Sequence, residues 1–209
     1  MYLSRVEIDD SNRRKLRELT HLGAYHNWVE QSFPAEVTSG LRKRHLWRID
    51  TLGDRRYLLL LSEEKPEVEL LSKYGVNGSV IIKSYANFIN NISKHQTFQF
   101  RLVANPTHTK DNHVYPHVTI EQQKKWLLDR TAKNGFEILC NETEKYLFDI
   151  VERDYPILRK KNGRKVKLSR VAFSGLLKVT DESLFQELLV RGIGREKAYG
   201  MGLMTVIPR

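Results

Sequence analysis

The sequence predicts an α+β protein built from two tandem ferredoxin-like halves. Segments with strand periodicity and segments with helical periodicity follow one another in the order β-α-β-β-α-β. The same order can be traced a second time from residue 97 onward. With 209 residues and 40% apolar content, the chain suffices for two small cores of about 100 residues each.

In the first half, YLSRVEI (2–8) alternates apolar and polar side chains, as a half-buried strand does. Asp10 or Ser11 can cap a helix running through Leu16 and Leu19, which Gly23 interrupts. A second helix then spans Ala24 to Ser32 and stops before Pro34, because a residue preceding proline avoids helical backbone. RHLWRID (44–50) and RYLLLLS (56–62) read as a hairpin joined through TLGD. PEVELLSKYG (66–75) predicts a short helix with Pro66 at its start and Gly75 at its end. SVIIKSY (79–85) is the closing strand.

In the second half, TFQFRLVANP (97–106) is a strand ended by Pro106, and THTKDNHVYPH (107–117) reads as a polar loop. VTIEQQKKWLLDRTAKNG (118–135) is a helix with Thr119 at its cap and Gly135 as its stop. FEILC begins a strand, YLFDIV and KLSRVAFSGLLKV form a long hairpin, and the helix DESLFQELLVRG (181–192) and strand GLMTVIP close the unit. The boundary is predicted between 1–93 and 94–209, with no linker composition to separate them. The halves share little sequence, so the duplication is one of architecture.

No run of 18 apolar residues argues for a membrane span. MYLSRVEIDD lacks the basic-then-apolar layout of a secretion signal. The one cysteine, Cys140, excludes an internal disulfide framework and a cysteine-based zinc site, and reads as a small core residue. A reducing cytoplasm is the expected location. The 35 Lys and Arg against 25 Asp and Glu leave a net charge of +10, which favours polyanionic partners through release of condensed counterions.

Two segments sharpen that expectation. LRKKNGRKVKLSR (158–170) centres on Asn162-Gly163, a strong type I′ hairpin signal. It carries Arg159, Lys160, Lys161, Arg164, Lys165, Lys167 and Arg170 without one acid, more than an edge hairpin needs to stay soluble. GIGREKAYGMG (192–202) places Gly192, Gly194, Gly200 and Gly202 around Lys197. It is not a dinucleotide fingerprint, because it follows a helix and precedes a strand. Either it lets amides and Lys197 approach a phosphate, as in RNA-clamping loops, or it is a helix cap and a tight turn. His108, His113 and His117 fit no standard metal spacing, and no metal site is expected.

HLGAYHNWVEQSFP (21–34) holds two histidines. At 100° per residue, Ala24, Tyr25, Trp28 and Val29 mark the core face, while His26 and Glu30 lie one turn apart on the exposed side. His21 reads as a packing or capping residue. The helix N-terminus and nearby cations favour neutral His26, and Glu30 favours the charged form. A neutral imidazole near pH 7 suits a general base, but a lone exposed histidine is usually idle.

Taken together these motifs resemble the CasE family, the CRISPR RNA-processing endoribonucleases of type I-E Cascade. The resemblance runs end to end. It rests on MYLSRV, on His26 seven residues before Phe33-Pro34, on FRLVANPT, EQQKKWLLDR and VAFSGLLKV, and on GIGREKAYGMGL. It implies two tandem ferredoxin-like, RRM-like domains of the RAMP type. It also implies a cofactor-free, metal-independent endoribonuclease that cuts CRISPR repeat RNA at the 3′ base of its hairpin and stays bound within an antiviral complex. A non-catalytic RNA-hairpin-binding subunit is the alternative. By the same resemblance His26 is the catalytic residue, the segment 158–170 packs along the RNA stem, and 192–202 is the glycine-rich RNA loop. Cleavage is then expected by internal 2′-OH attack leaving a 2′,3′-cyclic phosphate, with His26 as general base on the 2′-OH or general acid on the 5′-oxygen. Where some members carry a tyrosine three residues before the histidine and an arginine directly after it, this chain has Gly23 and Asn27, and Arg42, Lys43 or Lys197 could supply the charge of a second catalytic group.

Overall fold

The computed structural model describes residues 1–159 and 165–209. It divides into two compact units, Met1–Asn87 with Lys197–Gly200, and Phe88–Glu196 with Met201–Arg209.

The first unit runs β1 (Tyr2–Glu7), α1 (Arg13–Glu18), α2 (Leu22–Gln31), α3 (Pro34–Ser39), β2 (Leu46–Leu52), β3 (Arg55–Ser62), α4 (Val68–Leu71) and β4 (Ile81–Ser84). Its antiparallel sheet has the order β2-β3-β1-β4, the ferredoxin-like order that the β-α-β-β-α-β sequence anticipates. Tyr2 lies opposite both Ser62 and Ser84, and Leu52 pairs with Arg55 across the turn. Trp28, Trp47, Leu58, Leu60, Leu61 and Leu71 are almost wholly buried. Trp28 is pinned by its indole N–H, which donates to the Leu71 carbonyl at 3.1 Å.

After α5 (Ala86–Asn90), the second unit follows with β5 (Thr97–Ala104), β6 (Thr107–Lys110), β7 (His113–Pro116), α6 (Ile120–Thr131), β8 (Phe136–Ile138), β9 (Phe148–Asp154), β10 (Ile157–Arg159), β11 (Lys165–Lys167), β12 (Arg170–Val179), α7 (Glu182–Arg191) and β13 (Met204–Pro208). The sheet order is β13-β5-β12-β8, with β9 also on β12. β8 pairs with Leu177–Val179 and β9 with Arg170–Gly175, so the two fill one ferredoxin-like strand position in succession. Phe100, Phe136, Phe173 and Phe185 dominate its core. Among the described residues no helix is long and apolar enough to cross a membrane.

Helix α6 starts where its sequence predicts. The Thr119 hydroxyl accepts from the Gln122 amide at 3.2 Å, and the Gln122 side chain accepts from the Thr119 amide at 3.3 Å. This capping box satisfies two otherwise orphaned donors. Thr119→Ala is expected to cost about 1 kcal/mol in urea denaturation.

Five local expectations are corrected. Gly23 does not break a helix: the interruption falls at Leu19–His21, α2 already includes Gly23, and α1 is capped by Asn12. His21 ends the break by turning its Nδ1 to accept the Ala24 amide at 3.2 Å, so it caps the helix and is exposed. The 66–75 helix shrinks to Val68–Leu71, because Glu67 is extended at φ −71°, ψ 125°. The polar stretch 107–117 is a hairpin, β6 with β7. Asp111 and Asn112, at φ 48° and 59°, make the turn that Asn-Gly usually signals. Cys140 is exposed beyond the end of β8, where its backbone bridges to Tyr146.

Candidate functional site

The first unit carries a cleft of about 440 Å³ whose wall includes His26 and Glu30 from α2, Arg42, Lys43, Arg44 and His45 from the approach to β2, and Lys197 and Ala198. Helix α2 aims His26 there by burying Leu22, Tyr25, Trp28 and Val29 on its other side. His26 is not the open surface imidazole that helical phase predicts. Its side chain is only 31% exposed, and its ring meets the Tyr199 ring edge-on at 5.8 Å between centroids. Because α2 begins at Leu22, His26 lies just beyond the first turn, where the helix terminus acts on it weakly.

Burial is the main influence on the His26 imidazole and pushes its pKa below the ordinary 6.5. Glu30 opposes this, while Arg42 and His45 add to it. Glu30 Oε1 lies 4.0 Å from His26 Nδ1, and Glu30 Oε2 lies 4.0 Å from an Arg42 guanidinium nitrogen. Burial would raise the Glu30 carboxyl, but the hydrogen bond and charge of His45, with His26 and Arg42, hold it below its usual value.

His45 is the anchor of this arrangement. Its side chain is 2% exposed, with Nδ1 3.0 Å from Glu30 Oε1 and Nε2 3.4 Å from Glu36 Oε1. Phe33 stacks on its ring at 3.9 Å, almost parallel at 10°. Phe33 itself precedes α3, which starts with Pro34 at its first position. The Phe-Pro pair thus supports the histidine that holds Glu30.

The cations differ in availability. Lys43 Nζ is engaged by Glu64 at 2.7 Å and Glu63 at 3.3 Å. Arg42 and Arg44 are exposed, and Lys197 is half-buried. Burial, with the charge of Arg44, pushes the Lys197 ammonium below its usual pKa.

The segment Lys197–Gly200 is fixed by Trp47, which is 1% exposed and donates its indole N–H to the Ala198 carbonyl at 3.1 Å. Gly200 has φ +78°, and a Cβ there would lie 2.7 Å from the Trp47 ring. The loop's other glycines belong to the second unit. The Gly192 N–H closes α7 on the Leu188 carbonyl at 2.8 Å, Gly194 rests on Trp126, and the Gly202 N–H donates to the Val103 carbonyl at 2.6 Å. The glycines therefore have a cap-and-packing role, alongside which Lys197 is presented to the cleft.

In the second unit, Lys160, Lys161, Arg164 and the Asn162-Gly163 turn lie outside the described residues. β10 and β11 pair antiparallel from Ile157↔Lys167 to Arg159↔Lys165, as the hairpin signal predicts for its flanks. Lys165 and Lys167 are exposed, with Lys167 Nζ 4.9 Å from the Tyr155 ring centroid. Arg170 is paired with Asp154, its Nε 2.8 Å from a carboxylate oxygen. Among the described residues no group of three His, Cys, Asp or Glu side chains is placed to hold a metal ion.

His45, Arg44, Glu36 and Tyr199 are additions to the residues singled out by sequence. His45 sits in RHLWRID, where consecutive residues are buried and no alternation marks one as special. Tyr199 stands 173 positions from its neighbour His26, a separation no local pattern spans.

The chain's likenesses agree in coverage and in fold. The model of a family described as CRISPR associated protein matches residues 1–208. The CRISPR-associated endoribonuclease Cse3 of Thermus thermophilus is 26% identical over 220 aligned residues, spanning 100% of both chains. A structure of Cse3 bound to 19-nucleotide RNA superimposes with a TM-score of 0.85 at 24% identity, covering 100% of each chain. A chain of a CRISPR RNA-guided surveillance complex matches with a TM-score of 0.68 at 20% identity over 99% of each.

Proposed function

The chain belongs to the CRISPR-associated protein family, and from that premise we propose that it is an endoribonuclease of repeat RNA, with His26 as its general base. The observation that carries the reading is the His26 imidazole, 31% exposed in a cleft whose wall brings Arg42, Lys43, Arg44 and Lys197 together with Glu30 and His45, and pushed toward its neutral form by burial. Full-length similarity to a protein named as an endoribonuclease, and fold similarity to that protein bound to RNA, support the substrate class. The fold match to a chain of a surveillance complex supports assembly with further CRISPR subunits.

The reaction is internal transesterification. His26 takes the proton of a ribose 2′-OH, and the 2′-oxygen attacks the adjacent phosphorus. The P–O5′ bond breaks, the 5′-oxygen takes a proton from water while His26 returns its proton to solvent, and the products are a 2′,3′-cyclic phosphate and a 5′-hydroxyl. The nucleophile is already tethered beside its phosphorus, which supplies the proximity a catalyst otherwise provides. Arg42, Arg44 and Lys197 offer cations for the charge that builds on the phosphoryl oxygens. The exposed Lys165 and Lys167, with Arg159, Lys160, Lys161, Arg164 and Arg170 of the same sequence segment, supply the basic character for gripping an RNA stem. Gly192, Gly194, Gly200 and Gly202 set the course of the loop that presents Lys197.

The test is cleavage of a repeat hairpin in excess chelator with mass analysis of the 5′ fragment. Undiminished cleavage and a cyclic phosphate terminus are expected. Loss of activity on chelation, or a linear 3′-hydroxyl product, would overturn the mechanism.

A further inference from the structure

The geometry points to a charge relay behind His26: we propose that His45 holds Glu30 so that its carboxylate orients the His26 Nδ1–H and stabilises the imidazolium formed during cleavage. The inference rests on the reading of His26 as general base and assigns Glu30 and His45 as positioning residues for it.

Glu30 follows His26 by four residues, so the two side chains occupy the same face of α2. That spacing alone leaves a glutamate free to rotate into solvent. Here it is not free, because His45 Nδ1 lies 3.0 Å from Oε1, and the glutamate side chain is only 13% exposed. His45 in turn is held by the Phe33 ring stacked on its face, and its Nε2 lies 3.4 Å from Glu36 Oε1 without a hydrogen bond between them. Glu36 Oε2 accepts the Lys43 amide at 2.9 Å, which ties it to the same segment. An exposed ion pair adds little, whereas a carboxylate already held by a buried donor pays little further ordering cost.

The consequence for His26 follows from which nitrogen faces Glu30. Oε1 lies 4.0 Å from Nδ1, and closing that contact to hydrogen-bond distance would place the proton of a neutral imidazole on Nδ1 and leave the Nε2 lone pair to act as base. The present 4.0 Å is a charge contact, and such contacts commonly tighten once substrate is seated. A carboxylate in this position favours the tautomer that accepts a proton at Nε2 and lowers the cost of the resulting cation. The groups facing His26 are Glu30 on its own helix, Arg42, Lys43, Arg44 and His45 before β2, and Lys197 with Tyr199. Glu30 is the acid among these, so its removal leaves only groups that are cationic, imidazole or phenolic.

Two isosteric changes test the relay. Glu30→Gln keeps the side-chain shape and an acceptor for His45 while removing the charge. His45→Phe keeps the stack on Phe33 while removing the donor. In single-turnover cleavage Glu30→Gln is expected to be slower by roughly 10- to 100-fold and His45→Phe by about 10-fold, with RNA affinity changed less than about 2-fold. The His26 titration followed by NMR should move to lower pH in Glu30→Gln, because the carboxylate that favours the cation is gone. Wild-type rates in both variants, or an unmoved titration, would overturn the proposal. A readout on the unaltered protein guards against variants that fail to fold: nitrogen chemical shifts should show neutral His26 protonated at Nδ1, and an Nε2–H tautomer would overturn it. If His26→Ala itself cleaves normally, the reading of the site falls; if it is inactive while Glu30→Gln is normal, only the relay falls.

Discussion

His26→Ala is expected to lose cleavage of a repeat hairpin by roughly 10²- to 10⁴-fold while binding the RNA as before, since this is the range that one general acid–base group supplies. The loss should appear in the single-turnover rate at saturating protein. Affinity should hold, because the cations proposed to meet phosphates sit on other residues: Arg42, Arg44 and Lys197 in the cleft, and the basic segment around β10 and β11. A non-catalytic RNA-binding subunit makes the opposite prediction, tight binding with no product and no dependence on His26. Wild-type cleavage by His26→Ala would end the assignment. A duplex DNA binder would show itself by DNA of the same sequence displacing the RNA.

The same imidazole sets the pH dependence. Burial first, then Arg42 and His45, depress its pKa below 6.5, against the pull of Glu30. A base that must be neutral therefore keeps the free protein competent below pH 6.5, and the acid limb of kcat/KM should lie under that value. Bound RNA brings phosphate charge that favours the imidazolium, so the limb of the bound complex should lie higher. The folding linkage has a definite sign. A depressed folded pKa contributes stability that is present above 6.5 and is lost as pH falls through the folded value.

The fold was legible where periodicity and caps are local. β1, the β2–β3 hairpin, α6 with its Thr119 box and α7 with Asp181 at its cap each follow from a few neighbouring residues. The errors came where one residue type serves several backbones. Gly23 sits inside α2 because His21 caps the helix ahead of it, and Asp111-Asn112 turns a hairpin that polar composition disguises as a loop. Of the site, His26 could be set apart from His21 by helical phase, and the resemblance to the CasE family, through the spacing to Phe33-Pro34, implies its catalytic role. Its surroundings could not be singled out. His45 meets Glu30 across 15 positions and Trp47 meets Ala198 across 151, and such contacts exist only once the sheet has formed. The glycines of 192–202 are visible as exceptional, but Gly194 and Gly200 make room for two indoles far away in sequence, Trp126 and Trp47.

Gly200→Ala is expected to cost about 2–3 kcal/mol, more than a left-handed glycine replaced elsewhere in the unit. The backbone at Gly200 has φ +78°, where any Cβ is strained by about 1 kcal/mol. Gly53 has a comparable φ of +59° with nothing within 4 Å of its added Cβ, so Gly53→Ala isolates the strain alone. At Gly200 the added carbon lies 2.7 Å from Trp47, which is buried to 1% and bonded to Ala198, so the ring has no room to yield. The segment Lys197–Gly200 must then shift instead, carrying Lys197 and the Tyr199 ring away from His26. Misplacement of about 1 Å in a catalytic setting can cost up to about 100-fold in rate. Gly200→Ala should therefore lower both the melting temperature and the single-turnover cleavage rate, while Gly53→Ala lowers the first slightly and leaves the second intact. Equal behaviour of the two variants in both measurements would mean that the Trp47 contact does not hold the cleft in register.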